Sequence, residues 1–123
     1  MSGKLYSKKG FTLVELIVVV IIVGILASVA LPMMSTNINK ARKSEAVTAL
    51  GALRTAARFY FAEHGVWPNS MNDVSGYMAA ADLNGRYYAS GDYTLTSTVI
   101  TASNAAYGGD VTLGTQTNEF SGN

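Results

Sequence analysis

Residues 8–34 read Lys8-Lys9-Gly10 followed by FTLVELIVVVIIVGILASVALPMM, Phe11 to Met34. After the glycine the run holds a single charge, Glu15, and every residue from Leu16 to Met34 is uncharged. At about 1.5 Å per residue this uncharged stretch makes roughly 28 Å of helix, close to the hydrocarbon thickness of a bilayer. By length and composition it is a membrane-spanning helix. A secretory signal sequence also begins basic and then apolar, but its apolar core usually ends after about 7–15 residues at a small-residue cut. Ala27-Ser28-Val29-Ala30 imitates such a cut, inside a run already too long for it.

Glu15 is the anomaly. A carboxylate deep in a bilayer costs on the order of 3 kcal/mol even on lenient insertion scales. At the interface it can snorkel to water. A cut between Gly10 and Phe11 offers a different remedy, because the new amine lies one helical turn from Glu15, where a first-turn carboxylate also suits the helix dipole. Orientation stays open on charge alone. Lys4, Lys8 and Lys9 precede the span and Lys40, Arg42 and Lys43 follow it.

Lys8-Lys9-Gly10, then Phe11-Thr12-Leu13-Val14-Glu15-Leu16 and the apolar run, closely resembles the processing motif of type IV prepilins and pseudopilins. The resemblance covers residues 8–32. It implies that a basic leader, residues 1–10, is removed after Gly10 by a membrane aspartyl prepilin peptidase, and that the new amine of Phe11 is methylated. It also implies that Glu15 is the family's assembly glutamate and Pro32 its helix-kinking proline. The partners implied are identical subunits in a helical homopolymer, the peptidase, an assembly platform, and the inner membrane before assembly. The leader is then cytoplasmic and the head outward. No enzymatic activity is implied. The filament is either a pilus for adhesion, motility or uptake, or the pseudopilus of a type II secretion system. A non-polymerising membrane-anchored binding module is the distant alternative, and such an anchor has no reason to retain Glu15.

Within the span, Gly24 carries a helix-propensity cost of roughly 1 kcal/mol, and Pro32 removes a donor and crowds the carbonyl near Ser28. A bend or local melting between them is expected. Ser35-Thr36-Asn37 could cap a renewed helix, although the resemblance favours one kinked rod. Beyond it Ala46, Leu50, Leu53, Ala57 and Tyr60 recur at spacings of four and three, widened by Ala49, Ala56 and Phe61. Gly65 supplies a left-handed stop, and Trp67-Pro68 forbids more helix. The helix is thus expected over Phe11–Glu63.

Residues 66–83 read as a loop with one helical turn around Met71 to Met78. Three strands follow, Arg86–Ala89, Tyr93–Ala102 and Val111–Thr117, with turns at Ser90-Gly91-Asp92 and Gly108-Gly109-Asp110. The fold class is α+β. Residues 11–34 span the membrane, 35–65 continue as amphipathic helix, and 66–123 complete a small antiparallel β-sheet head. Leu50, Leu53, Leu95, Val99 and Trp67 are the expected shared core.

Composition removes the competing chemistry. The 123 residues are 49% hydrophobic and 14% charged, with no cysteine, one histidine and a net charge of +1, which excludes disulfide scaffolds, thiolate catalysis and Cys/His zinc sites. His64 reads as a helix-dipole contact. No loop matches a calcium motif and no cofactor is expected; Asp110 and Glu119 are the candidate ligands were calcium to bind. Lys40, Arg42, Lys43, Arg54 and Arg58 read as a solvated or interface face rather than a nucleic-acid site, and Tyr87, Tyr88, Tyr93 and Tyr107 as strand packing and subunit contact.

Overall fold

A computed structural model describes residues 3, 9–117 and 119–122. Of the expected leader only Gly3, Lys9 and Gly10 are among them, and Lys4 and Lys8 lie outside the described residues. The chain divides into two compact units, residues 1–37 and 38–123.

One helix, α1, covers Leu13–His64 and runs unbroken past Gly24 and Pro32. In the single chain the helix is not melted between those two residues. The hydroxyls nearby bond back into the helix instead: Ser28 Oγ donates to Ile25 O at 2.7 Å, and Ser35 Oγ and Thr36 Oγ1 both donate to Pro32 O, at 2.9 and 3.1 Å. Ser35 and Thr36 therefore start no second helix. The apolar part of α1 reaches a mean hydropathy of 3.0 over eighteen residues, none of them buried. Among the described residues this is the one helix long and apolar enough to cross a membrane.

In the second unit the amphipathic stripe is covered as its spacing requires. Ala46, Leu50, Leu53, Ala56 and Ala57 are buried, whereas Tyr60 is half-buried and Phe61 exposed. The helix stops at Gly65, whose φ of 73° few other residues adopt without strain and whose N–H donates to Phe61 O at 2.8 Å. Phe61 stacks on Trp67 at 4.6 Å, which packs Trp67 on the edge of the core. Turns occupy residues 71–77, followed by 3-10 turns at Ala80–Leu83 and Ser90–Asp92.

Four strands make one antiparallel sheet: β1 (Tyr93–Leu95), β2 (Val99–Ala102), β3 (Val111–Gly114) and β4 (Phe120–Gly122), in spatial order β1-β2-β3-β4. Three differences from the expected strands have physical causes. Tyr93–Ala102 is a hairpin rather than one strand, because the Thr96 hydroxyl accepts the Val99 N–H at 3.1 Å and donates to Val99 O at 2.9 Å, closing a turn without glycine. The turn pairs Leu95 with Ile100. Ile100 is therefore buried and Val99 is left 38% exposed, reversing the face expected of a continuous strand. Arg86–Ala89 is no strand, since its backbone donors are taken by side chains, the Ala89 N–H by Asp92 and the other three by a carboxylate described below. β4 is the extra edge strand, pairing Thr112 with Ser121 and Leu113 with Phe120.

Candidate functional site

The first site is built by four residues where α1 begins. Gly10 and Phe11 precede the helix, and Phe11 is 93% exposed. A Cβ at Gly10 would meet nothing within 4 Å, and its φ is not left-handed. Neither room nor backbone conformation in this chain calls for glycine there. The same test at Gly24 finds open space.

Thr12 and Glu15 form a reciprocal cap. The Glu15 N–H donates to Thr12 Oγ1 at 3.2 Å, while the Thr12 N–H and hydroxyl donate to Glu15 Oε2 at 2.8 and 3.0 Å. This is the Thr-x-x-Glu capping box, which satisfies helix-start donors that otherwise have no partner. Glu15 is thus not without contacts in the single chain, as its burial cost alone suggested. Its Oε1 carries no bond among the described residues. The box is legible in the spacing of Thr12-Leu13-Val14-Glu15, a hydroxyl three residues before a carboxylate.

A second cluster lies in the other unit and was not foreseen. Glu45 of α1 accepts the N–H groups of Arg86 (3.0 Å), Tyr87 (2.9 Å) and Tyr88 (2.9 Å). Burial pushes this carboxyl up, but the three N–H bonds and the Arg86 charge outweigh it and hold the group below its ordinary value. A Cβ on Gly85 would lie 2.2 Å from Glu45 Oε1, so only glycine allows the chain this close. The segment so fixed carries Tyr87, which meets Tyr107 edge-on, and Arg42 lies 4.1 Å over the Tyr107 ring. No local sequence signal announces Glu45, because its partners are more than forty residues away.

Three members of the basic series expected to face solvent or neighbours make contacts within the chain. Besides Arg42, Lys43 Nζ donates to Gly122 O at 3.1 Å and Arg54 Nε to Thr115 O at 3.3 Å. His64 Nδ1 lies 3.1 Å from Tyr60 O, on whose ring the imidazole stacks. That is the helix-end contact expected of it.

Asp110 and Glu119 are not brought together. Asp110 precedes Val111 at one end of the β3–β4 hairpin, and Glu119 O accepts the Gly114 N–H at the other, about 13 Å away at the usual strand rise. Among the described residues no group of three or more His, Cys, Asp or Glu side chains could hold a metal ion. Adding a calcium chelator should therefore leave the melting temperature of the full chain unchanged. A marked drop, reproduced by Asp110→Ala, would mean that the hairpin closes on an ion.

Residues 5–31 match the family model for the prokaryotic N-terminal methylation motif, and residues 39–123 match the model for pilin, a bacterial filament protein. Among individual proteins, the chain is similar to the type IV major pilin protein PilE1 of Neisseria gonorrhoeae, at 40% identity over 95 residues, 77% of this chain and 43% of that one. It is 41% identical over 83 residues to a fimbrial protein of Neisseria meningitidis serogroup A, covering 68% of this chain and 48% of the relative. The fimbrial protein EcpC of Eikenella corrodens is 41% identical over 80 residues, 65% of this chain and half of its own length. The chain spans about half the length of the curated relatives it matches.

Proposed function

Since this chain belongs to the type IV pilin family, we propose that it is the major structural subunit of a type IV pilus-like filament, without enzymatic activity. Carrying this reading is the helix that starts at the capping box: every large apolar side chain from Leu13 to Met34 is exposed in the single chain, below a carboxylate with an unused oxygen. Such a surface needs lipid first and other copies of itself later. In a bundle of these helices the apolar face leaves lipid for an equally apolar neighbour, so its burial costs little and selects no register. Glu15 selects the register by meeting the Phe11 amine of an adjacent subunit.

The precursor waits in the inner membrane as a single span with residues 1–10 cytoplasmic. A prepilin peptidase removes the leader after Gly10, Phe11 is methylated, and an assembly platform adds the subunit to a filament outside the inner membrane. Gly10 serves the peptidase, which explains a glycine that its own surroundings do not require. Gly24 and Pro32 ease the fit of the helix among its neighbours. The relatives named as pilins and fimbrial proteins favour the surface pilus over the secretion pseudopilus.

Processing is the direct test. Intact-mass measurement of filaments sheared from cells should give a chain that begins at Phe11 with one added methyl group. A chain beginning at Met1, or after Ala30, would overturn the assignment. Loss of Lys4, Lys8 and Lys9 leaves six basic against eight acidic side chains, so the sheared material should also migrate as mildly acidic.

A further inference from the structure

Asn84-Gly85 is the single Asn-Gly pair in the sequence, and the fold restrains the reaction that such a pair invites. An asparagine followed by glycine is open to attack by the glycine nitrogen on the asparagine Cγ, because no Cβ shields that nitrogen. Both residues are exposed, so water reaches them. Yet the attacking nitrogen and the carboxamide oxygen are both held. The Gly85 N–H donates to Tyr88 O at 2.8 Å, and Asn84 Oδ1 accepts the Ser90 N–H at 2.8 Å. Asn84 has ψ 111°, which turns the Gly85 nitrogen to the far side of the Cα–C bond from Cβ, whereas ring closure needs the two nearly eclipsed. Glu45 prevents the segment from turning, since it holds the next three N–H groups and lies directly against Gly85.

We propose that Asn84 is a latent modification site, a deamidation that the Glu45 clip holds off and that proceeds when the clip opens. In the open segment the Gly85 nitrogen loses its proton to solvent base and attacks Cγ of Asn84. A new N–C bond forms and the carboxamide nitrogen leaves as ammonia. The resulting five-membered imide is opened by water at either carbonyl, giving aspartate or a β-linked isoaspartate at position 84. No oxidant or reductant takes part. The β-linkage adds one carbon to the main chain immediately before Gly85, and the next three N–H groups then miss the Glu45 carboxylate. A single opening is thereby made permanent, and subunits that have opened carry a covalent record of it.

The full chain, purified in detergent, is incubated at mildly alkaline pH, and peptide mapping by mass spectrometry follows conversion at Asn84 and distinguishes its two products. In the folded protein conversion should be roughly tenfold or more slower than in urea, the protection that a local opening cost confers. Glu45→Gln should speed conversion several-fold while circular dichroism still reports a folded chain. Ser90→Pro offers a second variant that leaves Glu45 untouched. It removes the N–H that holds Asn84 Oδ1, at the first position of a 3-10 turn where proline fits and after an extended residue, Ala89. It too should accelerate the reaction. Equal rates in the folded and urea-unfolded chain would overturn the proposal, as would folded Glu45→Gln and Ser90→Pro both reacting as slowly as the parent.

Discussion

Glu15→Val subunits should accumulate in the membrane at parental levels and yet give almost no filaments in sheared surface fractions. Insertion does not suffer, because the substitution removes a penalty of about 3 kcal/mol. The β-sheet unit keeps its fold, since none of its residues bonds to Glu15. Assembly suffers because the incoming chain loses the interaction that prefers one register. Taking about 2 kcal/mol, the low end of coupling measured for close charge pairs at interfaces, the elongation equilibrium falls roughly thirtyfold. Val also removes one half of the capping box, so a second variant separates the two effects. Gln at the same position can still accept from Thr12 as a capping-box residue but carries no charge. Glu15→Gln should therefore start its helix normally and still assemble poorly, with Glu15→Asp intermediate. Parental filament yield from Glu15→Gln, at matched membrane levels, would show that capping rather than charge is what Glu15 contributes.

Glu45→Ala should give the largest loss of stability of any single polar substitution in residues 38–123. It leaves three N–H groups without their acceptor, two of them on partly buried or buried residues. With about 1 kcal/mol for each lost charge-assisted bond, and more where water cannot replace it, the cost is roughly 2–4 kcal/mol. In a unit of this size that lowers the melting temperature by about 10–25 °C. Thermal unfolding of the full chain in detergent, followed by tryptophan and tyrosine fluorescence, measures it. The same carboxylate fixes a pH dependence. Its folded value is depressed below the ordinary 4.5, so its contribution is complete above that value and is lost as pH falls through the folded one. Acidification through this range should lower the melting temperature of the parent, and Glu45→Ala should flatten that part of the curve. A variant that melts within a few degrees of the parent would show that the 86–88 segment is held by its aromatic contacts instead.

What the amino-acid pattern disclosed was local. The apolar run, the four-and-three stripe from Ala46 to Ala57 and the stop at Gly65 each depend on residues within a few turns of one another, and each stands in the structure where the pattern puts it. The anomaly of Glu15 is equally local, and so is its cap partner Thr12, three residues before it. The sheet was harder for reasons particular to its residues. Thr96-Ser97-Thr98 has strand propensity and no glycine, proline or asparagine, so a turn closed by the Thr96 hydroxyl passes for the middle of a strand. Arg86-Tyr87-Tyr88 looks like a strand because of its aromatics, yet its donors point at a carboxylate from α1. Phe120-Ser121-Gly122 is too short to announce itself, and only pairing with β3 makes it a strand. Where the competing partner is distant in sequence, no local rule reveals it.

The order of the sheet also has a bearing on how the chain is made. Its strands lie side by side in the order in which they leave the ribosome, and each pairs with the one just before it. No strand has to slip between two already joined, and none waits for a later one to find its place. With α1 complete before the first strand emerges, each hairpin can close on a surface that already exists, through contacts short in sequence and therefore fast to form. Longer ties cross this order, among them Glu45 to residues 86–88, Lys43 to Gly122 and Arg54 to Thr115, each joining α1 to a segment that follows it. The latter two fasten β4 and the turn after β3 to a helix already in place, and with such single bonds to α1 this hairpin should open before β1 and β2 do.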